Sequence, residues 1–304
     1  MIGTQFYKGQ GLGNQLWAYS VVRSLAEERR YDFGFLGIDN FKGVGFHQLD
    51  FGKPIDGLAI KIPSERVPKG FDSYYREELV RHSSGADISP LDPKVREIKD
   101  GTFVDGTFQT TKYFVNRDKV RGWFDLNLSE RKVCVISLRG GEYRGITDLF
   151  LPKTYFFNAM NYMSDLVPGI HFEVVTDDLG LALDWFPSLP VYSSGGVKRF
   201  PGGLYVHPSK ESVMSDFARV QSASFMILAN SSFSWWAAFT NPFARFVIAP
   251  KYWARFNTSD GYWSNGDSLT EGWLWLDRSG NVDSYEKCHK EYSEYREKNK
   301  NQIL

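Results

Sequence analysis

The chain has 304 residues, of which 42% are apolar and 16% aromatic, enough for two domains of roughly 150 residues each. Its 36 basic and 36 acidic side chains balance, which argues against nucleic acid or an anionic membrane surface as a partner. Two distant cysteines, Cys134 and Cys288, indicate no disulfide framework.

The beginning of the chain lacks both a basic start and an unbroken apolar stretch. No run of about 18 apolar residues occurs anywhere in the sequence. The sequence therefore predicts a cytoplasmic protein without a transmembrane segment.

The first half is predicted to contain a strand, a glycine-rich turn and a helix, followed by a second strand and a second helix. In chain order these cover residues 2–7, 9–13, 15–30, 102–105 and 112–119. Residues 40–100 mix proline, glycine, serine and charge, and we expect loops with short helices there.

The second half alternates between apolar, β-rich runs and helical stretches. The predicted strands cover residues 133–137, 172–176, 225–229 and 246–249, and the predicted helices cover 153–166, 179–186 and 210–223. Strands separated by helices imply a parallel sheet. We therefore predict an α/β fold with an N-terminal domain over residues 1–128 and a C-terminal domain over 129–304, whose final helix, from Tyr285, crosses back to the first domain.

In open α/β sheets the ligand lies beyond the carboxyl ends of the strands, so the turns there are candidate sites. The first such turn carries Gly11 and Gly13 before a helix. Closely spaced glycines let backbone N–H groups approach a phosphate at a helix N-terminus. An ordinary glycine turn would explain the same pattern, and the spacing is not that of the dinucleotide motif.

The second turn, residues 137–143, begins with Ser137 and carries Arg139 beside Gly140 and Gly141. The glycines free the backbone to curl around an anion, and a guanidinium suits bidentate contact with phosphate. The competing interpretation is a solvated surface charge.

The third turn, residues 230–236, joins a buried strand to a helix and carries Ser231 and Ser232. Their hydroxyl groups can cap the helix, and the same hydroxyl and free N–H groups can hold a pyrophosphate. The two interpretations are compatible.

Asp216 lies on the same helical face as Val213 and Val220. A buried carboxylate needs a partner, and either Arg219 or the two N–H donors of a guanine edge would provide one. The adjacent pair Asp177 and Asp178 follows another strand without a histidine cluster, and we predict no metal site there.

Several segments of the chain resemble, in sequence and in order, segments of the bacterial alpha-1,2-fucosyltransferases and, more distantly, of the alpha-1,6- and protein O-fucosyltransferases. Those enzymes share a GT-B-like fold of two Rossmann-like domains facing across a cleft. The matching segments are GLGNQ at residues 11–15, the G-x-(W/F)-Q-x-x-K-Y-F pattern within 105–114, the strand with its acidic pair at 174–178, NSSFSWW at 230–236 and VIAPK at 247–251.

The resemblance implies inverting, metal-independent transfer of fucose from GDP-fucose to a glycan hydroxyl, with no further cofactor. It implies that Gly13 and Asn14 approach the diphosphate and sugar, that Arg139 neutralises the leaving diphosphate, and that Asp216 reads guanine. The remaining residues assigned to the nucleotide-sugar site are Gly11, Ser137, Asp177, Ser231 and Ser232.

One motif departs from the family pattern, because HxRRGDY appears here at residues 137–143 as SLRGGEY. Ser137 replaces the histidine, Gly140 the second arginine and Glu142 the aspartate, which marks a divergent branch. We expect the acceptor hydroxyl to attack the anomeric carbon while Arg139 and the helix beginning near residue 234 stabilise the departing diphosphate.

Two residues are candidates for the general base, Glu142 first and Asp148 second. Gln109 and Tyr113 are the predicted acceptor-binding residues, because amide and aromatic groups suit a sugar. Three alternatives remain open: a transferase that uses another nucleotide sugar, a catalytically silent glycan-binding protein, and an NAD-dependent dehydrogenase that uses the glycine turn.

Overall fold

The computed structural model describes residues 1–57, 67–78, 80–81, 87–88, 91–114, 116–193, 210–264 and 268–299. Its α-helices are α1 (Leu12–Arg29), α2 (Arg117–Trp123), α3 (Lys153–Leu166), α4 (Leu179–Trp185), α5 (Lys210–Gln221), α6 (Ser232–Phe239) and α7 (Tyr285–Lys298). The strands are β1 (Ile2–Gln5), β2 (Phe33–Leu36), β3 (Ser73–Arg76), β4 (Val80–Arg81), β5 (Asp87–Ile88), β6 (Thr102–Asp105), β7 (Arg131–Leu138), β8 (Phe172–Thr176), β9 (Val191–Ser193), β10 (Ala223–Leu228), β11 (Phe246–Pro250), β12 (Leu274–Leu276) and β13 (Val282–Ser284).

Most of the strands belong to two parallel sheets, one from each half of the chain. The first sheet has the order β2-β1-β6-β3, and all of its pairs are parallel. The second has the order β13-β12-β11-β10-β7-β8-β9, and only β12 and β13 pair antiparallel. The predicted fold class, α/β with two Rossmann-like sheets facing across a cleft, is confirmed. The boundary between residues 128 and 129 stays a prediction.

Each sheet contains a point where the strand order reverses. In the first sheet, β2 lies on one side of β1 and β6 lies on the other. In the second sheet, β8 and β9 lie on one side of β7 and β10 lies on the other. Because the segments leaving such neighbouring strands diverge, each reversal opens a crevice at the carboxyl ends of the strands.

Helices α1 and α6 pack against each other and join the two halves of the chain. The indole of Trp17 in α1 lies with its ring centroid 4.5 Å from that of Trp235 and 4.7 Å from that of Trp236, both in α6. These three rings belong to one buried cluster that includes residues from both sheets. Rings in such contact bury large apolar areas, so the two helices are held firmly together.

Helix α1 begins at Leu12, three residues before the predicted start at Gln15. Gly13 therefore lies inside the helix rather than in the turn. A Cβ on Gly13 would collide with the backbone of Ser232 and Phe233 in α6. This close approach of two helices explains a glycine in the first helical turn.

The helix predicted over residues 112–119 is wrong in its position. A short 3-10 turn covers Thr111–Tyr113, and α2 follows only from Arg117, where the Asn116 side chain accepts a hydrogen bond from the Lys119 N–H at 2.9 Å. The asparagine cap sets the start of the helix, and the prediction overlooked it.

Residues 40–100 contain strands that the sequence did not predict, and parts of this stretch lie outside the described residues. Strand β3 pairs with β6 at the edge of the first sheet. Its sequence, SYYR, is exposed or half-buried throughout, so it shows none of the apolar alternation that marks a strand with one buried face.

The C-terminal helix α7 was predicted to return to the first domain, and that is wrong. Its largest contacts are with β13 and β12 of the second sheet. Glu291 of α7 also pairs with the buried Lys251 at 2.6 Å, and Lys251 in turn pairs with Asp283 at the same distance. A buried ammonium requires such partners, so this ion cluster fixes α7 to the second sheet.

Candidate active site

The crevices at the two strand reversals open into one cavity of about 610 Å³, a size that suits a nucleotide-sized ligand. The segments after β1 and β6 line it from the first sheet, and those after β7, β8 and β10 from the second. The structure brings eleven of the predicted site residues together here: Gly11, Gly13, Asn14, Gln109, Ser137, Arg139, Glu142, Asp177, Asp216, Ser231 and Ser232.

The base of the cavity, here called the helix-tip floor, consists of residues 11–14 and 231–234. Gly11 is the N-cap of α1 and Ser231 is the N-cap of α6, and neither helix has a side-chain cap. The predicted capping by the serine hydroxyls is therefore wrong. The first N–H groups of an uncapped helix carry partial positive charge, so the two helix ends give this floor a positive potential.

Asn14 links the floor to the loop after β6. Its Oδ1 accepts a hydrogen bond from the Ser232 hydroxyl at 3.0 Å and another from the Gln109 amide at 3.2 Å. Three segments that are distant in sequence therefore meet at one amide oxygen. This places Gln109, a predicted acceptor-binding residue, directly beside the floor.

The second wall of the cavity is the arginine loop, residues 137–143. Its serine, Ser137, is buried, and its hydroxyl lies 2.5 Å from that of Ser234 in the first turn of α6. The Arg139 guanidinium forms ion pairs with Asp177 and, at 2.8 Å, with Glu142. Its Nε is buried and has no hydrogen-bond partner within the described part of the chain.

The two glycines of the arginine loop bind the protein's own acids. The Gly140 N–H donates to Asp177 at 2.8 Å, and the Gly141 N–H donates to Asp178 at 3.2 Å. A Cβ on either glycine would press on those side chains. The expectation that these glycines free the backbone to curl around a ligand anion is therefore wrong, because carboxylates of the chain take that place.

Asp177 and Asp178 thus position the arginine loop. Burial raises the pKa of Asp177, and the nearby Arg139 charge acts against that rise. Asp178 also caps α4 by accepting a hydrogen bond from the Leu181 N–H at 3.0 Å. Among the described residues no group of three or more histidine, cysteine or acidic side chains is arranged to hold a metal ion.

Asp216 lies in α5 with only 4% of its surface exposed, and it lines the cavity. Burial raises its pKa to about 7, an effect that the Arg219 charge only partly offsets. The Arg219 guanidinium lies 3.4 Å from the ring centroid of Tyr192 and 3.9 Å from Glu173. Of the two partners predicted for Asp216, Arg219 is therefore engaged elsewhere, and no described residue forms an ion pair with the Asp216 carboxylate.

Two predicted site residues do not reach the cavity. Tyr113 is fully buried, and its hydroxyl donates to Glu77 at 2.8 Å and accepts from the Asp92 N–H at 2.9 Å. It supports the first sheet and is not available to an acceptor sugar. Asp148 is exposed and does not line the cavity, so Glu142 is the only one of the two candidate bases that does.

Lys42 and Trp253 are among the cavity residues that the sequence analysis missed. Lys42 lines the cavity from the stretch that was predicted to form loops, and no motif marks it. Trp253 also lines it, and both Tyr252 and Trp253 have left-handed backbone angles, with φ of 66° and 48°. Such conformations are uncommon outside glycine and concentrate at functional sites. Local sequence gives no signal for either residue.

The described helices include none with the length and apolar character needed to cross a membrane. No protein-family model matches the chain. Two curated proteins of Escherichia coli are similar to it. An O-antigen biosynthesis glycosyltransferase, WbnK, is 26% identical over 155 residues, which cover 46% of this chain and 47% of that protein. An alpha-1,2-colitosyltransferase is 21% identical over 297 residues, which cover 88% of this chain and 97% of that protein.

The chain therefore matches about half the length of the first relative and nearly all of the second. Among solved structures, NodZ alpha-1,6-fucosyltransferase soaked with GDP-fucose aligns with a TM-score of 0.45 and 11% identity, covering 93% of this chain and 97% of that one. The resemblance to fucosyltransferase-like glycosyltransferases that the motifs predicted is confirmed.

Proposed function

We propose that the protein is an inverting glycosyltransferase that moves fucose from GDP-fucose to a hydroxyl group of a glycan. One observation carries the proposal. The uncapped ends of α1 and α6 and the Arg139 guanidinium face a single cavity, which also contains the buried carboxyl of Asp216. A nucleoside diphosphate offers matching groups, an anionic diphosphate and a base with N–H donors.

The diphosphate binds at the helix-tip floor, near Ser231 and Ser232. Helix N-termini and guanidinium groups stabilise the negative charge that develops on a leaving diphosphate, and preorganised donors of this kind contribute strongly to rate. These groups supply positive potential where a transferase needs it, and we propose that transfer proceeds without a metal ion. Arg139 is already positioned by Asp177 and Glu142, so little reorganisation accompanies binding.

Asp216 reads the guanine. An ionised carboxylate accepts two parallel N–H bonds from a guanine edge, and Asp216 has no ion pair with another described residue that would compete. The acceptor glycan lies on the side of Gln109, which the first sheet presents beside Asn14. Glu142 is the proposed general base, because it lines the cavity and is exposed enough to reach an incoming hydroxyl.

Nucleotide binding tests the proposed function. Thermal unfolding of the protein should be measured with GDP, UDP, ADP and dTDP, since a ligand that binds only the native state raises the unfolding temperature. GDP should give the largest rise, and GDP-fucose with a glycan acceptor should release GDP. An equal response to all four nucleotides would reject guanine recognition, and no response to any would reject the nucleotide-sugar site.

A further inference from the structure

The charges around the cavity are unequally paired. The described residues that line it carry five charged side chains, Lys42, Arg139, Glu142, Asp177 and Asp216. Because Asp177 and Glu142 both contact the Arg139 guanidinium, their negative charges offset its positive charge. Lys42 forms no ion pair within the described part of the chain. Of these five side chains, Lys42 is therefore the only cation that has no carboxylate partner among the described residues.

Lys42 is held at the cavity by the first turn of α1. Its backbone N–H donates to the side-chain oxygen of Gln15 at 2.9 Å. The amide nitrogen of Gln15 donates to the carbonyl of Asn40 at 2.8 Å, and Gln15 itself is fully buried. A buried side chain that makes two such bonds fixes the segment that carries Lys42, so the ammonium group is presented from a rigid base.

Lys42 and Arg139 are close enough for their charges to interact. Burial lowers the pKa of the Lys42 ammonium, and the repulsion from Arg139 lowers it further. Two cations contributed by different halves of the chain thus face one half-enclosed space. An anion between them would relieve both the desolvation of Lys42 and the repulsion.

We propose that the Lys42 ammonium binds the diphosphate of the nucleotide-sugar donor from the side of the first sheet, opposite the arginine loop. The inference rests on the proposed function, since it concerns the same ligand. It assigns part of donor binding to the N-terminal half of the chain. It also explains how the site functions with Gly140 at the place where the resembling enzymes have a second arginine, because Lys42 supplies a second cation from elsewhere.

Titration calorimetry with GDP and with guanosine tests the role of Lys42. Lys42→Met should bind GDP about 10- to 100-fold more weakly than the parent, which is the usual effect of losing a hydrogen bond to a charged group. Guanosine lacks the phosphates, so its affinity should stay within about twofold. Lys42→Arg keeps the charge and should recover most of the GDP affinity.

Lys132→Met is the matched control, because Lys132 is exposed near the start of β7, at the end of that strand away from the cavity. It should bind GDP like the parent. If the parent prefers GDP over the other nucleotides but Lys42→Met binds GDP within about threefold of it, the role of Lys42 is rejected and the proposed function stands. If the parent shows no preference for GDP, the proposed function itself fails. An equal loss of GDP and guanosine binding would mean that Lys42 shapes the site rather than binding phosphate.

Discussion

The helix-tip floor and the arginine loop line the same cavity, but the chain holds them in different ways. The floor rests on apolar packing, with Trp17 of α1 against the two tryptophans of α6, and its helix ends have no side-chain caps. The arginine loop rests on ion pairs and N–H bonds to Asp177 and Asp178. The floor therefore offers open N–H donors, whereas the loop offers a guanidinium whose charge the protein already offsets.

On the proposed function, the uncapped helix ends allow the cavity to attract a diphosphate although Arg139 is already paired. The carboxylates keep Arg139 in place, and the helix ends supply N–H donors that no side chain of the described residues caps. The two regions should therefore respond differently to substitution. Changes in the loop should alter catalysis and electrostatics, and changes in the floor should alter the packing between the two halves.

The largest effect is expected from Arg139→Ala. The change removes a donor to the leaving diphosphate and leaves Asp177 and Glu142 facing that anion without a counter-charge. Loss of one such preorganised donor lowers turnover by about 100- to 1000-fold. Steady-state rates with GDP-fucose would measure this loss of turnover. A rate within tenfold of the parent would show that Arg139 is not the key group. Arg245→Ala, which changes an exposed arginine outside the cavity, is the control.

A second test separates catalysis from binding within the arginine loop. Glu142→Gln keeps an oxygen that can accept the hydrogen bond from Arg139 but removes the base. Turnover should fall about 100-fold, the lower end of the contribution of general acid–base groups, while GDP affinity changes by less than about threefold. Asp148→Asn should leave the rate unchanged. If Glu142→Gln keeps the parent's turnover and pH profile, Glu142 is not the base.

The third prediction concerns Asp216, beside the floor. Asp216→Asn should weaken GDP binding by about 10- to 100-fold and reduce the preference for GDP over ADP. Because the pKa of Asp216 is about 7 and guanine needs the ionised form, GDP affinity of the parent should rise about tenfold between about pH 6 and pH 8. The asparagine variant should lack this rise, and titrations at several pH values would show it.

The contribution of Asp216 to the stability of the parent should change with pH in the opposite direction and fall as the pH rises. The carboxyl of Asp216 has a folded pKa of about 7 and an ordinary value of 3.8, so the native state holds a proton that the unfolded state has lost. The contribution of this proton to the free energy of unfolding is complete below pH 3.8, the ordinary pKa of the group. It is lost as the pH rises through the folded pKa of about 7. Asp216→Asn should therefore be more stable, relative to the parent, at pH 8 than at pH 4. The same relative stability at both pH values would show that the pKa of Asp216 is not raised in the native protein.

The last prediction concerns the free energy of unfolding and tests the packing of the floor through Gly13→Ala. The added methyl group would meet the backbone of α6, and overpacking of this kind lowers the free energy of unfolding by about 1–3 kcal/mol. Gly122→Ala in α2 is the control, because nothing lies within 4 Å of the position, and it should be neutral or slightly stabilising. Thermal denaturation that ranks the two variants equally would contradict the close contact of α1 with α6.

The sequence predicted the parts of the molecule that depend on local pattern. Strands β6 and β8 and helix α3 lie where the apolar runs placed them, and Ser231 and Arg139 lie at carboxyl ends of neighbouring strands. Other features depend on contacts between distant segments. The polar edge strand β3 is visible only through its pairing with β6, and Lys42 joins the site through Gln15, 27 residues away. The burial of Tyr113 likewise follows from Glu77, 36 residues away, which no local motif reveals.

A crystal structure of the protein with bound GDP is the most direct test of the account. The diphosphate should lie at the helix-tip floor, within hydrogen-bonding distance of the N–H groups at the start of α6 and close to Arg139, with the guanine edge on the carboxylate of Asp216. A diphosphate held elsewhere, or a guanine turned away from Asp216, would contradict the proposal that the two helix ends and the buried carboxyl form one nucleotide site.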